Sequence, residues 1–550
     1  MQLKYNDKIY EVHEGQTYGE VLKEEIQNQG EHEYIAGRYN NSIVSFNSEI
    51  RTDGEFKFID RTDKDGRIIY IRGLLYIMSK AFNEVYPDAL LTVNYQLTNA
   101  MYGDCDNMEI TDEVIEKVKA RMQEIIDKDI PIVKKTMTQQ EAEEFYKKEA
   151  TLKGRLQTDI VKDKVSLYYC EDYFNYFYGT MPVSTGFAKL FDFVKFRSGF
   201  LVKYPSVGNP DVISKIEKYS LKYFSAMEEY DEINKIMKIN TVYRLNKKIK
   251  EGGTKELILF SEALHEKKIA DIAEKIKHRR GIRMVLIAGP SSSGKTTFAN
   301  KLGMSLRVHG IKPVTLSVDN YFVEREDNPK DENGNYDFEC IEALDLELFN
   351  NQLLDLLAGK EVELPTFNFK TGHKEYHGNK LRLKPDEILV IEGIHCLNDK
   401  LTYHIPKEDK FKIYISDLTV LNIDYYNRIS TTDTRLLRRI ARDYKFRGYS
   451  ALQTLQNWYS VNRGERKYIF PFQETADVMF NSSIVYEIAA LKPIVVPLLE
   501  KITNEYEVYS EARRLLALLK YFEDFDTTYV PNNSILREFI GGSIFEKSEE

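Results

Sequence analysis

Eight consecutive residues, Gly289-Pro290-Ser291-Ser292-Ser293-Gly294-Lys295-Thr296, fit the spacing Gly-x-x-x-x-Gly-Lys-[Ser/Thr], and Thr297 follows them. These residue types suit the gripping of a polyphosphate. Small side chains let successive backbone N–H groups wrap a β-phosphate, and a helix that starts at the lysine adds partial positive charge at its N-terminus. The spacing then carries Lys295 to the β- and γ-phosphates and the Thr296 hydroxyl to a Mg²⁺ ion. The pattern arises by chance in about a few per cent of chains of this length. Its flanks narrow that further: the apolar run Met284 to Ala288 precedes it, and Phe298, Leu302 and Leu306 follow at helical spacing.

Two carboxylates sit where such a loop needs them. The apolar run Ile388 to Ile391 ends in Glu392, and an acid at a strand C-terminus can hold the metal and its waters. The ordinary alternative is a solvent-facing glutamate at a strand end. Leu316-Ser317-Val318 leads into Asp319, which in an open α/β sheet falls near the γ-phosphate and could accept the proton of an attacking hydroxyl. A helix cap or a role behind the metal are its alternatives. Arg435, Arg438, Arg439 and Arg442 recur at spacings of three and four, with Arg447 beyond them, so a helix would group the first four on overlapping faces. They form either a phosphoryl clamp on a closing lid or a solvated basic helix.

Those residues need a frame. Buried-strand runs at 284–288, 314–318, 388–391, 411–415 and 478–480 alternate with helical segments, the pattern of a parallel sheet covered by helices on both faces. An amphipathic helix over 263–278 leads into it. The region before it differs. Residues 1–60 read as a small β-rich module with turns at Asn6-Asp7 and Asp53-Gly54. Helical periodicity from Leu74 to Val85 and over 112–130 predicts an α+β domain. The aromatic run over 165–200 reads as core or domain contact rather than a base-stacking platform, and Gly252-Gly253 marks a junction. The expected organisation is therefore 1–60, 61–205, a helical connection over 206–256, the α/β domain over 257–500, and a helical extension over 501–550.

Composition bounds what remains. With 550 residues, 42% of them hydrophobic, the chain can build several cores at roughly 150 residues per domain. A formal charge of −9 argues against a surface that attracts nucleic acid throughout. The first residues lack the apolar core of a signal peptide and no stretch reads as a membrane span, so a cytoplasmic protein is expected. The four cysteines are scattered, which predicts reduced thiols, and the nine histidines show no zinc-ligand spacing.

The segment over 283–495 resembles the uridine kinase and phosphoribulokinase group of P-loop kinases. Besides GPSSSGKT it carries SVDNYF at 317–322, FECIEALD at 338–345, PTFNFKTGH at 365–373, IEGIH at 391–395 and DTRLLRRIARD at 433–443. The resemblance implies that Asp319 is the catalytic base, that Tyr321 lines the substrate site and that Glu392 is associated with Mg²⁺. It also implies that Glu339 meets the ribose, that Phe367 lies against the base with His373 near by, that Arg439 faces the nucleoside, and that Arg442 and Arg447 meet phosphates. Tyr449, Asn457 and Cys340 depart from the family pattern on the nucleoside side.

The N-terminal part is similar to the TGS and second additional domains of threonyl-tRNA synthetases, on YIAGRYNNSIVSFNSEI at 34–50, AFNEVYP at 81–87 and YGTMPVSTG at 178–186. The positions of that family's metal-dependent editing ligands hold Arg72, Tyr76, Phe177 and Met181, which cannot form a zinc site. The resemblance therefore implies a retained fold without editing. Together these readings predict an ATP-dependent, Mg²⁺-requiring kinase acting on the 5′-hydroxyl of a nucleoside, uridine or cytidine. The rivals are a sugar-phosphate kinase of the phosphoribulokinase type and an RNA- or ribosome-associated ATPase. The N-terminal region carries no dense basic patch to favour RNA. A homo-oligomer is compatible with the resemblance, and the sequence shows no membrane partner.

Overall fold

Apolar residues on both sides of a strand force it into the middle of a sheet, and Met284–Ala288 is buried at every position. In the computed structural model it lies between Glu387–Glu392 and Lys410–Ser416, with Lys312–Ser317 and Val478–Asn481 outside them, all five strands parallel. Residues 1–28, 30–142, 144, 164–206, 208–213, 221–331, 334, 336–368, 371–419 and 421–546 are described by it. Alternate side chains of the central strand feed two cores. Val285 and Ile287 pack with Phe298, Leu302 and Leu436 on one face, while Met284, Leu286 and Ala288 pack with Leu316, Phe349 and Leu353 on the other. Because the first strand in sequence is central, the chain runs outward from it to both sides, and ligands collect at such a switch point beyond the strand C-termini.

The five strands fall where the apolar runs predict them, with one shift. The second ends at Ser317 rather than residue 318, because Val318–Tyr321 winds into a 3₁₀ turn that carries Asp319 off the sheet. The helix expected over 263–278 is the end of a longer one, Thr254–His278, which starts at the turn formed by Gly252 and Gly253. The helix predicted from Leu74 begins ten residues earlier, spanning Lys64–Val85 with Asp63 as its cap, and the helix expected over 112–130 spans Asp112–Asp127 behind Thr111.

The first sixty residues form a mixed five-stranded sheet with its own core of Leu3, Tyr18, Phe46 and Phe56. Asn6, at φ 50°, turns its first hairpin. Beyond it a four-stranded antiparallel sheet, ordered Asp192–Phe196, Gly199–Lys203, Ala100–Cys105, Leu91–Leu97, packs on the two long helices. The aromatic run is indeed core: Tyr168, Tyr176 and Phe177 are all buried. Helix Leu221–Ile236 sits between this sheet and the kinase-like half, with Phe224 and Met227 against Tyr95, Leu201 and Leu418. Polar bonds also cross there. Asn422 Nδ2 donates to the Val93 carbonyl at 2.9 Å, the Tyr178 N–H donates to Asn427 Oδ1 at 2.9 Å, and the Tyr178 hydroxyl donates to the Arg514 carbonyl.

Candidate active site

The central strand delivers the glycine-rich loop to the C-terminal edge of the sheet. Gly289 is required there, since a Cβ on it would lie 1.9 Å from the Ile415 carbonyl oxygen of the neighbouring strand. Gly294, at φ 84°, turns the chain into helix Lys295–Val308. The first N–H groups of that helix have no partner within it, which makes its start an anion site. The Lys295 ammonium folds back over the loop, donating to the Gly289 carbonyl at 3.1 Å and the Pro290 carbonyl at 3.2 Å. Thr296 is exposed at the helix start, its hydroxyl open to a metal or phosphate, while Thr297 is buried.

Register places the acids. Glu392 is level with Ile287 of the loop strand and Ser317 of the next strand, and accepts a 2.8 Å hydrogen bond from Ser317 Oγ. Burial first, and then the charge of Asp319, push Glu392 up to about 7, while Lys295 pulls it the other way. Glu392, Asp319 and Lys295 therefore share one electrostatic pocket. Among the described residues no group of three or more His, Cys, Asp or Glu could hold a metal by itself. A hydroxyl and one carboxylate suit Mg²⁺, which keeps waters and takes the rest of its ligands from phosphates.

The arginine segment is a helix, Thr431–Arg442, closed by a π-turn over Asp443–Arg447. The expectation that Arg435, Arg438, Arg439 and Arg442 act as one clamp needs correction, because helix geometry splits them. Arg435 and Arg438 point inward and are almost fully buried. Arg435 makes a two-pronged pair with Glu465, at 2.5 and 2.8 Å, and donates to the Ser291 carbonyl at 3.2 Å. Arg438 pairs with Glu487 at 2.5 Å and donates to the Ser482 carbonyl at 2.8 Å. Both are framework for the loop rather than free phosphate ligands. Arg439, Arg442 and Arg447 face the other way and converge on one carboxylate, Asp443. Arg439 Nε reaches it at 3.1 Å, Arg442 Nη2 at 3.2 Å and Arg447 Nη1 at 3.6 Å. Arg439 also donates to Ser291 Oγ at 2.8 Å. Three cations around one acid repel: Arg442 foremost, with burial behind it, pushes Arg447 down to about 10, and Asp319 acts in the opposite sense. An incoming polyanion would relieve that repulsion.

The expected substrate-side residues are spread over four pieces of chain, Arg439 on the helix just described and the rest on three others. Glu339 lies within the field of Glu465, Arg439, Lys295 and Asp319, and burial followed by Glu465 pushes it up to about 7. Tyr321 is turned into the core, its ring 4.9 Å from that of Phe349 and its hydroxyl donating to Gln352 at 2.8 Å. Phe367 sits on the hairpin of Thr366–Asn368 and His373–Glu375, mostly buried and 5.5 Å from the Phe322 ring. His373 Nδ1 is 2.7 Å from Glu324 Oε2, which fastens the hairpin to the segment after Asp319.

Three residues of the site were missed in the sequence. Glu465 accepts from the Ser291 N–H at 3.0 Å as well as from Arg435, Asp443 gathers the outer arginines, and Glu538 accepts from Thr297 Oγ1 at 2.8 Å. Asp443 ends the quoted run DTRLLRRIARD, so its i and i+4 spacing to Arg439 and Arg447 was available. Glu465 and Glu538 lie in helices far away in sequence. In the N-terminal half, Arg72, Tyr76, Phe177 and Met181 do come together, as packing: Tyr76 and Phe177 rings meet edge to face at 5.5 Å, Met181 is buried beside them, and Arg72 donates to the Thr180 carbonyl.

Residues 284–489 match the Phosphoribulokinase / Uridine kinase family. Uridine kinases of Staphylococcus aureus strains JH9 and Newman are each 29% identical over 194 residues, a stretch that is 35% of this chain and 84% of the relative. A solved structure described as a possible uridine kinase from Bacillus stearothermophilus shares 22% identity, with a TM-score of 0.26, and covers 39% of this chain and 98% of that one. The family match places a P-loop domain of the Phosphoribulokinase / Uridine kinase family in the C-terminal region, over residues 284–489. No helix among the described residues is long and apolar enough to cross a membrane.

Proposed function

We propose that this chain transfers the γ-phosphate of ATP to the 5′-hydroxyl of a nucleoside, uridine or cytidine. The observation that carries the reading is the convergence, at one edge of the parallel sheet, of the backbone cradle 289–297, Lys295, Glu392 at a strand end, Asp319 on the turn after the neighbouring strand, and three arginines with a single counter-charge. Phosphoryl transfer passes through a loose transition state with charge spread over the moving oxygens, so positioning and electrostatics supply most of the catalysis. The loop N–H groups and Lys295 hold the β- and γ-phosphates. Thr296 and Glu392 would hold Mg²⁺, which when bound neutralises phosphate charge and orients the oxygens. Asp319, on the turn just off the second strand, takes the proton of the attacking hydroxyl. Arg442 and Arg447 meet the charge that develops on the transferred group, and the π-turn that carries Arg447 closes as a lid to keep water from competing.

On the acceptor side, Glu339 binds the ribose hydroxyls with Arg439 close by, and Phe367 with His373 shapes the base pocket, while Tyr321 braces the segment after Asp319 from within the core. A sugar-phosphate acceptor is the second reading. It is favoured by one observation: the Phe367 ring is mostly covered by protein rather than open as a stacking surface. The test is ATP consumption with Mg²⁺ across nucleosides and sugar phosphates, with products identified by mass. A nucleoside monophosphate supports the first reading. A sugar bisphosphate transfers the assignment to the second, and ATP hydrolysis without a phosphorylated acceptor contradicts both.

A further inference from the structure

Nucleotide-binding loops are ordinarily completed by the ligand, yet here the chain's own C-terminal segment reaches the loop. After helix Tyr509–Leu519 the polypeptide returns across the molecule, and Ile535, Leu536 and Phe539 bury themselves completely. A Cβ on Gly294 would meet Ile535 Cγ2 at 2.6 Å, so the segment lies directly on the loop's last glycine. It is fastened on both sides. Lys301 of the loop helix donates to the Asn533 carbonyl at 3.3 Å, Lys445 of the π-turn donates to the Ile540 carbonyl at 2.8 Å, and the Arg438 guanidinium rests 4.9 Å over the Phe539 ring.

What this anchored segment presents to the loop is a carboxylate. Glu538 Oε2 accepts from Thr297 Oγ1 at 2.8 Å and from the Thr297 N–H at 3.4 Å. Thr297 is the third residue of the loop helix, so its N–H is among the unpaired donors that such a terminus offers to an anion. The Glu538 charge also reaches the pocket beyond, since it is among those that disfavour ionisation of Glu392. The apolar anchors fix the backbone, while the Glu538 side chain is only half-buried and can rotate away.

We propose that Glu538 is an internal competitor for the nucleotide: its carboxylate occupies the phosphate-facing donors of Thr297, and binding of a nucleoside polyphosphate displaces it. Glu538 thereby sets nucleotide affinity without taking part in the transfer. The inference rests on the reading of residues 289–297 as a nucleotide site. A phosphate arriving at Thr297 must break two hydrogen bonds and approach a fixed negative charge at close range, and both costs vanish when the charge is removed.

The test is calorimetric titration of the full-length chain, wild type against Glu538→Gln and Glu538→Ala, with ADP and separately with adenosine. An unfolding midpoint checks each variant. ADP is expected to bind about tenfold tighter to both variants, with adenosine binding unchanged because it carries no phosphate. Folded variants that bind ADP with unchanged or weaker affinity would overturn the proposal, the weaker case making Glu538 part of the cradle. The two readings fail separately. A chain that binds ADP but makes no phosphorylated acceptor contradicts the kinase assignment and leaves this inference standing.

Discussion

The loop at 289–297 and the cluster of Arg72, Tyr76, Phe177 and Met181 are both places where sequence resemblance points to chemistry, and they are built in opposite ways. Around the loop, polar groups are held against their preference for water. Glu465 and Arg435 are buried as a pair to hold Ser291, and three arginines are crowded on Asp443. In the N-terminal cluster the space is filled by aromatic rings and a methionine, and the polar groups bond nearby backbone: Tyr76 OH donates to the Tyr168 carbonyl at 2.9 Å, and Arg72, a single cation whose charged form burial disfavours, donates to the Thr180 carbonyl. Several cations crowded on one counter-charge suit a site that meets a charged ligand, whereas a lone guanidinium among packed rings suits a fold. The same distinction separates the two rows of the arginine helix.

Substitutions can break this contrast. The largest expected effect is at Glu465, where replacement by Ala leaves Arg435 buried without its paired carboxylate and lowers stability by about 3–5 kcal/mol in denaturant titration. Loss of loop geometry should appear as weaker ADP binding. In the N-terminal cluster Phe177→Ala opens a cavity and costs about 3 kcal/mol by the same titration, with the turnover of the folded fraction unchanged. If Phe177→Ala abolished turnover at full folding, the cluster would be a functional site and the contrast would fail. Arg447→Ala, on the exposed row, should lower kcat/KM by about a hundredfold with an unchanged unfolding midpoint. The smallest effect concerns pH. The folded protein holds the Glu339 proton up to about 7, above the ordinary carboxylate value of 4.5. Its contribution to stability is thus present at low pH and is lost as pH rises from about 4.5 to about 7. Glu339→Gln should flatten that part of the stability-against-pH curve, whereas an unchanged slope would place the strain elsewhere.

Much of the half that carries the glycine-rich loop was legible because its signals are local. Five apolar runs became five parallel strands, and the glycine-rich loop sits between a strand and a helix as its spacing requires. Asp319 and Glu392 end apolar runs, and register sets Glu392 level with Ile287 and Ser317, next to the start of the loop and of the turn that holds Asp319. The less legible features depend on contacts between distant segments. Nothing in the spacing of Arg435, Arg438, Arg439 and Arg442 says which row faces inward, because the partners Glu465 and Glu487 come from later helices. Helix Lys64–Val85 begins earlier than expected since its start, Lys64-Asp65-Gly66-Arg67, is polar and glycine-containing, and the consecutive apolar residues Ile68 to Ile71 show no helical period. The return of residues 531–540 to the loop has no local signature at all.

The most direct test of the division between a charged catalytic edge and a packed N-terminal cluster is single-turnover phosphoryl transfer by the full-length chain carrying Asp319→Asn, with ADP binding measured on the same sample. ADP affinity within about twofold of wild type and product formation slowed by at least about a hundredfold are expected, because the variant keeps the cradle and loses only the proton acceptor. Undiminished nucleoside monophosphate formation in that variant would contradict the assignment of the base and, with it, the placement of the chemistry at this edge of the sheet.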